Sequence, residues 1–301
     1  MRIPALFALA LAAPALVAPA LDAPAFAQVG PVTVQPEATD FRIGAYQLSS
    51  LRDAGNIAPN DAKVFGVDAG IAEVDKVLVA AGATQGQIEL SVNALLIRLP
   101  GHVALIDTGY GMPRGTLLAS LEKAGTRADA VTDIMITHGH GDHVGGLVGP
   151  DGKPAFANAV VHLSAPEWDA IKSQPNNAKL VAAIGTKVKP FTPGAKLLPG
   201  ITAVDLHGHT AGHSGYEIVS GKARLMAIGD SAHSYIVSLA RPDWVMGYDK
   251  DAAVGAANRA TVLGRLADSR EPVFSPHFPY PGVGRVVRAG SGFKWQPGLP
   301  Q

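Results

Sequence analysis

The stretch Thr137-His138-Gly139-His140-Gly141-Asp142-His143-Val144-Gly145-Gly146 sets three imidazoles and one carboxylate within six residues, with glycine in both gaps. Neutral imidazole and carboxylate are the ligands that zinc and similar divalent ions take, and ligands at i and i+2 converge only on a tight loop. A polar surface turn that happens to be rich in histidine is the competing reading. Four ligand-type residues directly after the apolar strand expected over Val131–Thr137 favour a metal loop. Asp142 would then open the following helix, so the loop bridges a strand end and a helix start.

Upstream, Ile88–Arg98 and His102–Ile106 read as strands joined at the turn dipeptide Pro100-Gly101, the second ending in Asp107-Thr108-Gly109. Helical spacing is expected over Asp68–Gly82 and Arg114–Ala124. Phe41–Leu51 alternates well enough for an edge strand, with residues 28–40 a loose lead-in and Arg52–Gly66 a loop. Downstream, strands are expected over Asn158–Leu163, Ile201–Leu206, Gly215–Ser220, Arg224–Ile228, Pro272–Ser275 and Val283–Arg288. Helices are expected over Ala165–Lys172, Asn176–Val188 and Asp251–Asp268. Strands in runs with helices between them indicate one layered α/β domain.

Position then singles out further ligands. His138 follows the strand ending at Thr137, Asp230 follows Leu225–Ile228 after one glycine, and His277 follows Val273–Pro276. His213 closes His207-Gly208-His209-Thr210-Ala211-Gly212-His213, after the strand ending at Leu206. Four strands thus deliver a ligand-type side chain at their C-terminal ends, the edge where sites assemble in layered α/β folds.

Composition narrows the chemistry. The run Met1–Ala27, with Arg2, an apolar core and Ala25-Phe26-Ala27, reads as a secretory signal cleaved after Ala27. Residues 28–301 are expected to form a single domain in the periplasm. Removing the leader takes Arg2 and Asp22 from 25 bases and 25 acids, leaving 24 of each. That balance argues against nucleic acid or an anionic membrane as partner and for a small-molecule substrate, with a homodimer left open. There is no cysteine, so no disulfide supports the fold and any metal rests on His, Asp or Glu. Neither a Gly-x-Ser-x-Gly nucleophile setting nor a phosphate-binding glycine loop is present.

His-x-His-x-Asp-His at 138–143, Gly-His-Thr-x-Gly-His at 208–213, Ile228-Gly229-Asp230 and the late His277 together resemble the metallo-β-lactamase-fold hydrolase superfamily. Within it, the stretches 137–147, 156–161, 207–216, 228–230 and 277–284 look most like the exported methyl parathion hydrolase-like branch. The resemblance implies a four-layer αβ/βα sandwich with two divalent metal ions, zinc being the expected element, at one edge of the sheets. Carried over by motif, His138, His140 and His213 hold one ion, Asp142, His143 and His277 the other, and Asp230 bridges them. A shared water would become the attacking hydroxide, with Asp142 and Asp230 as the catalytic carboxylates. Asp107 and His209 are expected to support the ligands from behind. His233 is assigned at most to the pocket lining, with Phe65, Trp168, Tyr235, Trp244 and Phe278 as candidate walls, while His102 and His162 are expected to be structural.

The resemblance implies hydrolysis of ester, lactone or phosphotriester bonds. The absence of cysteine, the bridging Asp230 and the leader argue against lactamase and glutathione-thioester relatives. A β-lactam-hydrolysing enzyme and a non-catalytic exported metal-binding protein remain the alternatives.

Overall fold

The computed structural model describes residues 29–300, and the leader expected over 1–27 lies outside them. Its first sheet holds β1 (Gly30–Val32), β2 (Ala38–Ile43), β3 (Tyr46–Pro59), β4 (Gln87–Leu99), β5 (His102–Ile106), β6 (Asp133–Met135), β7 (Val160–Ser164) and β8 (Val188–Phe191). The order is β1-β3-β4-β5-β6-β7-β8, with β2 also paired to β3. The second sheet runs β9 (Lys196–Leu198), β10 (Ile201–Asp205), β11 (Ser214–Ser220), β12 (Ala223–Ala227), β13 (Val273–Phe274), β14 (Val283–Ala289) and β15 (Gly292–Pro297), each beside the next.

Successive apolar residues in Ala94-Leu95-Leu96-Ile97 require a strand covered on both faces. On β4, Leu95 and Ile97 face the other sheet, meeting Ile201, Tyr216, Ile218 and Leu225. Ala94 and Leu96 face outward onto α2 (Leu117–Lys123), α4 (Ala165–Ser173) and their neighbours. The second sheet is covered on its outer face by α7 (Ala252–Ser269), through Val262, Leu263 and Leu266. Asp251 caps this helix by accepting the Val254 N–H at 3.1 Å. Helices, sheet, sheet and helices make the four layers implied by the motifs. Each fully buried aliphatic side chain in the three interfaces contributes roughly 1.5–3 kcal/mol of transfer energy.

The chain departs from the expected strands at one informative place. Arg52–Gly66 is not a loop: β3 continues to Pro59, paired with β4 from Gln47↔Arg98 to Pro59↔Gln87. Arg52-Asp53-Ala54-Gly55-Asn56 has no apolar alternation, and its strand conformation comes from the long β4 template. A register shift between Arg52 and Ala54 sets Asp53 apart, and this buried carboxylate accepts the Tyr110 N–H at 2.8 Å and the Leu117 N–H at 3.0 Å. Residues 28–40 likewise include β1 and the start of β2. The helix expected over Asn176–Val188 shortens to α5 (Ala178–Ile184) between single 3-10 turns.

Candidate metal centre

The strands β5, β6, β7 and β8 are parallel neighbours, as are β12 and β13, so their C-terminal ends share one rim. β6 leads into His138 and His140; Gly141–Val144 then forms the short helix carrying Asp142 and His143. The β10–β11 connection carries His209, β12 leads to Asp230, and β13 leads to His277. Close packing explains most of the glycines: a Cβ at Gly146 would lie 2.1 Å from the Thr108 carbonyl oxygen, and one at Gly139 2.7 Å from Ile171. Gly141 has open space around it.

Two groups of donor atoms form. His138 Nε2, His140 Nδ1 and His209 Nε2 lie 2.9, 3.2 and 3.0 Å apart pairwise. Asp230 Oδ2 is 3.6 Å from His138 Nε2 and 3.5 Å from His209 Nε2. On its other side, Asp142 Oδ2 lies 3.7 Å from both His143 Nε2 and His277 Nε2. Asp230 reaches this group as well, with Oδ1 3.3 Å from His143 Nε2 and Oδ2 3.1 Å from His277 Nε2. The single carboxylate therefore stands between the two groups.

The donor set fits metal ions. Four-coordinate zinc with bonds of ~2.0–2.1 Å holds its ligand atoms roughly 3.3 Å apart, close to the spacings here. Three imidazole nitrogens facing one another cannot all be satisfied by hydrogen bonds among themselves, because each carries either a proton or a lone pair and two of the three are then alike. His143 Nε2 and Asp230 Oδ1 are buried with no hydrogen-bond partner, although they lie 3.3 Å apart. Burial, reinforced by His143, holds the His138 pKa well below the usual histidine value. Burial alone would raise Asp230, but His143, His277, His138 and His233 hold it well below the usual carboxylate range. Burial alone would lower His143 and His277, but the Asp230 and Asp142 carboxylates hold both above the usual histidine value, so these two rings would have to release protons for a metal ion to take their place beside the carboxylates.

Outer partners orient the rings. His143 Nδ1 is 2.9 Å from Asp107 Oδ2, His277 Nδ1 is 2.9 Å from the Ser91 carbonyl, and His138 Nδ1 is 3.1 Å from Thr137 Oγ1. His209 Nδ1 is 3.0 Å from Asp249 Oδ1. Asp107 also accepts the Thr137 N–H at 2.8 Å, from a backbone held at φ 60°. Left-handed backbone is uncommon for a non-glycine residue and clusters at sites where surrounding contacts over-determine it.

Two histidines expected from the motif exchange roles. His209, not His213, enters the donor group. His213 sits at the mouth of β11, where Nδ1–H donates to the Leu206 carbonyl at 2.9 Å and Nε2 accepts the Asp230 N–H at 2.9 Å. With both nitrogens used, His213 positions Asp230 from behind. The apex of the β10–β11 connection projects over the rim, whereas its last residue is locked by the ladder. His233 goes beyond pocket lining: it is buried, its Nε2 lies 3.2 Å from Asp230 Oδ2, its ring stacks on His277 at 5.5 Å, and neither nitrogen has a hydrogen-bond partner.

The expected aromatic walls do not line the centre. Phe65 and Trp244 are core residues beside α1 (Ile71–Ala80), Trp168 packs in the outer layer, and Phe278 with Tyr235 packs against the second sheet. A cavity of about 360 Å³ over the donor atoms is instead walled by Asn56, Leu90, Val92, Tyr110, His233 and Tyr248. Burial and the Asp142 carboxylate push the Tyr110 phenol up to about 12, so it keeps its proton. Sequence reasoning also passed over Glu167, which accepts from Gly139 N (2.8 Å), Thr210 Oγ1 (2.7 Å) and Gly212 N (2.9 Å), tying together the two histidine loops. Its sequence signal was only a carboxylate at a helix start.

Comparison with known proteins agrees with this geometry. The chain is 28% identical to AidC, a dizinc quorum-quenching lactonase whose structure is in complex with a product, at a TM-score of 0.83, covering 88% of this chain and 99% of that one. It is 27% identical to AbOPH, a hydrolase in the beta-lactamase superfamily, at a TM-score of 0.80, covering 89% and 100%. A stretch of 105 residues, 34% of this chain, is 29% identical to atrochrysone carboxyl ACP thioesterase of Aspergillus fumigatus. That match spans 25% of the relative, and other matched curated relatives are spanned over 41% and 30% of their length. The family profile described as the metallo-beta-lactamase superfamily matches residues 88–281, from β4 through the last histidine of the rim, and the chain belongs to that superfamily.

Proposed function

We propose that this chain is an exported dinuclear zinc hydrolase of lactones and related carboxylic esters. The observation that carries the reading is Asp230, buried between two groups of donor atoms and within 3.6 Å of a ligand nitrogen in each. His138, His140 and His209 would hold one ion and Asp142, His143 and His277 the other, with Asp230 shared. Two ions so held supply Lewis acidity and a water acidified to near neutral pH.

The chain's own groups orient the substrate. Leu90 and Val92 offer an apolar surface for an acyl portion, and the protonated Tyr110 phenol can donate to a substrate oxygen. Asp142, on the cavity wall and ionised, can accept the proton of the added water. Support for a lactone comes from the likeness to AidC, and support for zinc from the His/Asp donors and that protein's dizinc site. Kinship with the methyl parathion hydrolase-like branch rests on the matched motifs. Export rests on the alanine-rich apolar residues 1–27; among the described residues no helix is long and apolar enough to cross a membrane.

The test combines metal analysis with a panel of acyl lactones, aryl esters and phosphotriesters, before and after chelation. Two bound ions and chelator-sensitive lactone or ester turnover are expected. Bound metal without turnover on any of the three classes would favour the metal-binding alternative and end the hydrolase reading.

A further inference from the structure

His209 is held from outside the centre more elaborately than the other rings. Its Nδ1 lies 3.0 Å from Asp249 Oδ1, and Asp249 Oδ2 lies 3.1 Å from Arg259 Nη1, with both side chains 1% exposed. Arg259, on α7, also donates from Nε to the Pro242 carbonyl and from Nη2 to the Trp244 carbonyl, each at 3.0 Å. The Lys250 N–H donates to the His209 carbonyl at 3.1 Å and the Asp251 N–H to the Gly208 carbonyl at 2.9 Å. Residues 242–251 therefore form a strap from α7 to the back of His209. The strap closes because two glycines meet: a Cβ on Gly208 would lie 2.5 Å from Gly255 N, and one on Gly255 2.7 Å from Asp249 Oδ2.

The carboxylate behind His143 has different company. Asp107 is surrounded by Thr137 N, Thr137 Oγ1 and His143 Nδ1. Among the described residues no Lys or Arg lies within ion-pair distance of it. A carboxylate behind a ligating imidazole fixes the tautomer and strengthens the ring as a donor, and such partners typically change metal affinity 10–100-fold. A buried guanidinium on the far side of that carboxylate draws part of its charge away.

We infer that Asp249 and Arg259 are the positioning residues of His209, and that they set the affinity of the His138/His140/His209 metal position independently of the Asp142/His143/His277 position. The inference rests on the dinuclear reading of the site. Asp249→Asn separates the roles well. An amide oxygen turned to Arg259 presents an N–H to His209 Nδ1 and forces the ring proton onto Nε2, the donor atom. Turned the other way, the amide N–H opposes the guanidinium.

The experiment titrates the metal-free full chain with Zn²⁺ and with Co²⁺, reading stoichiometry, stepwise affinity and the Co²⁺ visible spectrum, with circular dichroism of the metal-free form as the folding control. Asp249→Asn is expected to weaken one of the two binding steps by 10–100-fold and leave the other unchanged, and Asp107→Asn to weaken the opposite step. Gly255→Ala, which crowds the Asp249 carboxylate without removing it, should weaken the same step as Asp249→Asn by a smaller factor, and it serves if Asp249→Asn does not fold. Unchanged affinities in a folded variant, or equal weakening of both steps, would overturn the positioning role. A wild-type chain that binds fewer than two ions would instead overturn the dinuclear reading, and this inference with it.

Discussion

Glu167→Gln should loosen the metal loop without touching a metal ligand. The carboxylate accepts three hydrogen bonds, from Gly139 N, Thr210 Oγ1 and Gly212 N, and an amide can keep the two on one oxygen at best. Its N–H then faces the Gly139 N–H, so one hydrogen bond to a charged group is lost, at about 1.5–3 kcal/mol, and the other two become weaker neutral ones. The expected total is roughly 2–4 kcal/mol. For a domain of this size, at ~2–4 °C per kcal/mol, that lowers Tm by roughly 4–16 °C. Gly139 lies between His138 and His140, so their mutual registry loosens and metal affinity at that position should fall by at least ~10-fold. Thermal melts of the metal-free protein read the first effect and Zn²⁺ competition with a chromophoric chelator reads the second. A variant that melts within about 1 °C of wild type and keeps its affinity would refute the view that Glu167 fastens the two loops together.

Other outcomes follow from the same geometry. Asp230→Ala removes the carboxylate shared by both groups, so bound metal should fall below two equivalents and hydrolysis should vanish; retention of both would show that Asp230 is not shared. His209→Ala should lose one ion. His213→Ala should keep both while losing stability, because the Asp230 N–H and the Leu206 carbonyl each forfeit a partner at ~1–3 kcal/mol; metal analysis of the pair decides which histidine is the ligand. At the start of β6, burial would raise Asp133, but hydrogen bonds from His162, Thr132 and His102 lower it from 3.8 to about 2. A carboxylate depressed in the folded state contributes stability above its unfolded pKa and loses it as pH falls toward about 2. The expected contribution is ~2 kcal/mol. Urea unfolding of metal-free protein between about pH 5 and 2 should show that loss, and Asp133→Asn should remove it; an identical acid dependence in the variant would refute the assignment.

Much of the layered fold could be read along the chain because periodicity records which faces are covered. Leu95 and Ile97 against Ala94 and Leu96 on β4 announce a strand buried on both sides, and Asp251 announces the start of α7. The clustering of candidate donors was legible for the same local reason: His138, His140, Asp142 and His143 carry their spacing with them, and Asp230 and His277 stand at the ends of recognisable strands. What local sequence could not hold was anything defined by a partner far along the chain. The polar half of β3 is a strand only because β4 lies beside it. The motif carried over pointed to His213 and put His209 behind it, whereas in the fold a backbone ladder occupies His213 and leaves His209 at the turn apex over the rim. Glu167, Asp249 and Arg259 gain their roles by meeting loops 28, 40 and 17 residues away. Phe65, Trp168 and Trp244 looked like pocket walls, but they are core residues because large apolar side chains go wherever the layers close. Ligand identity follows from chemistry carried by each residue, whereas ligand choice, orientation and pocket shape follow from which surfaces the chain brings together.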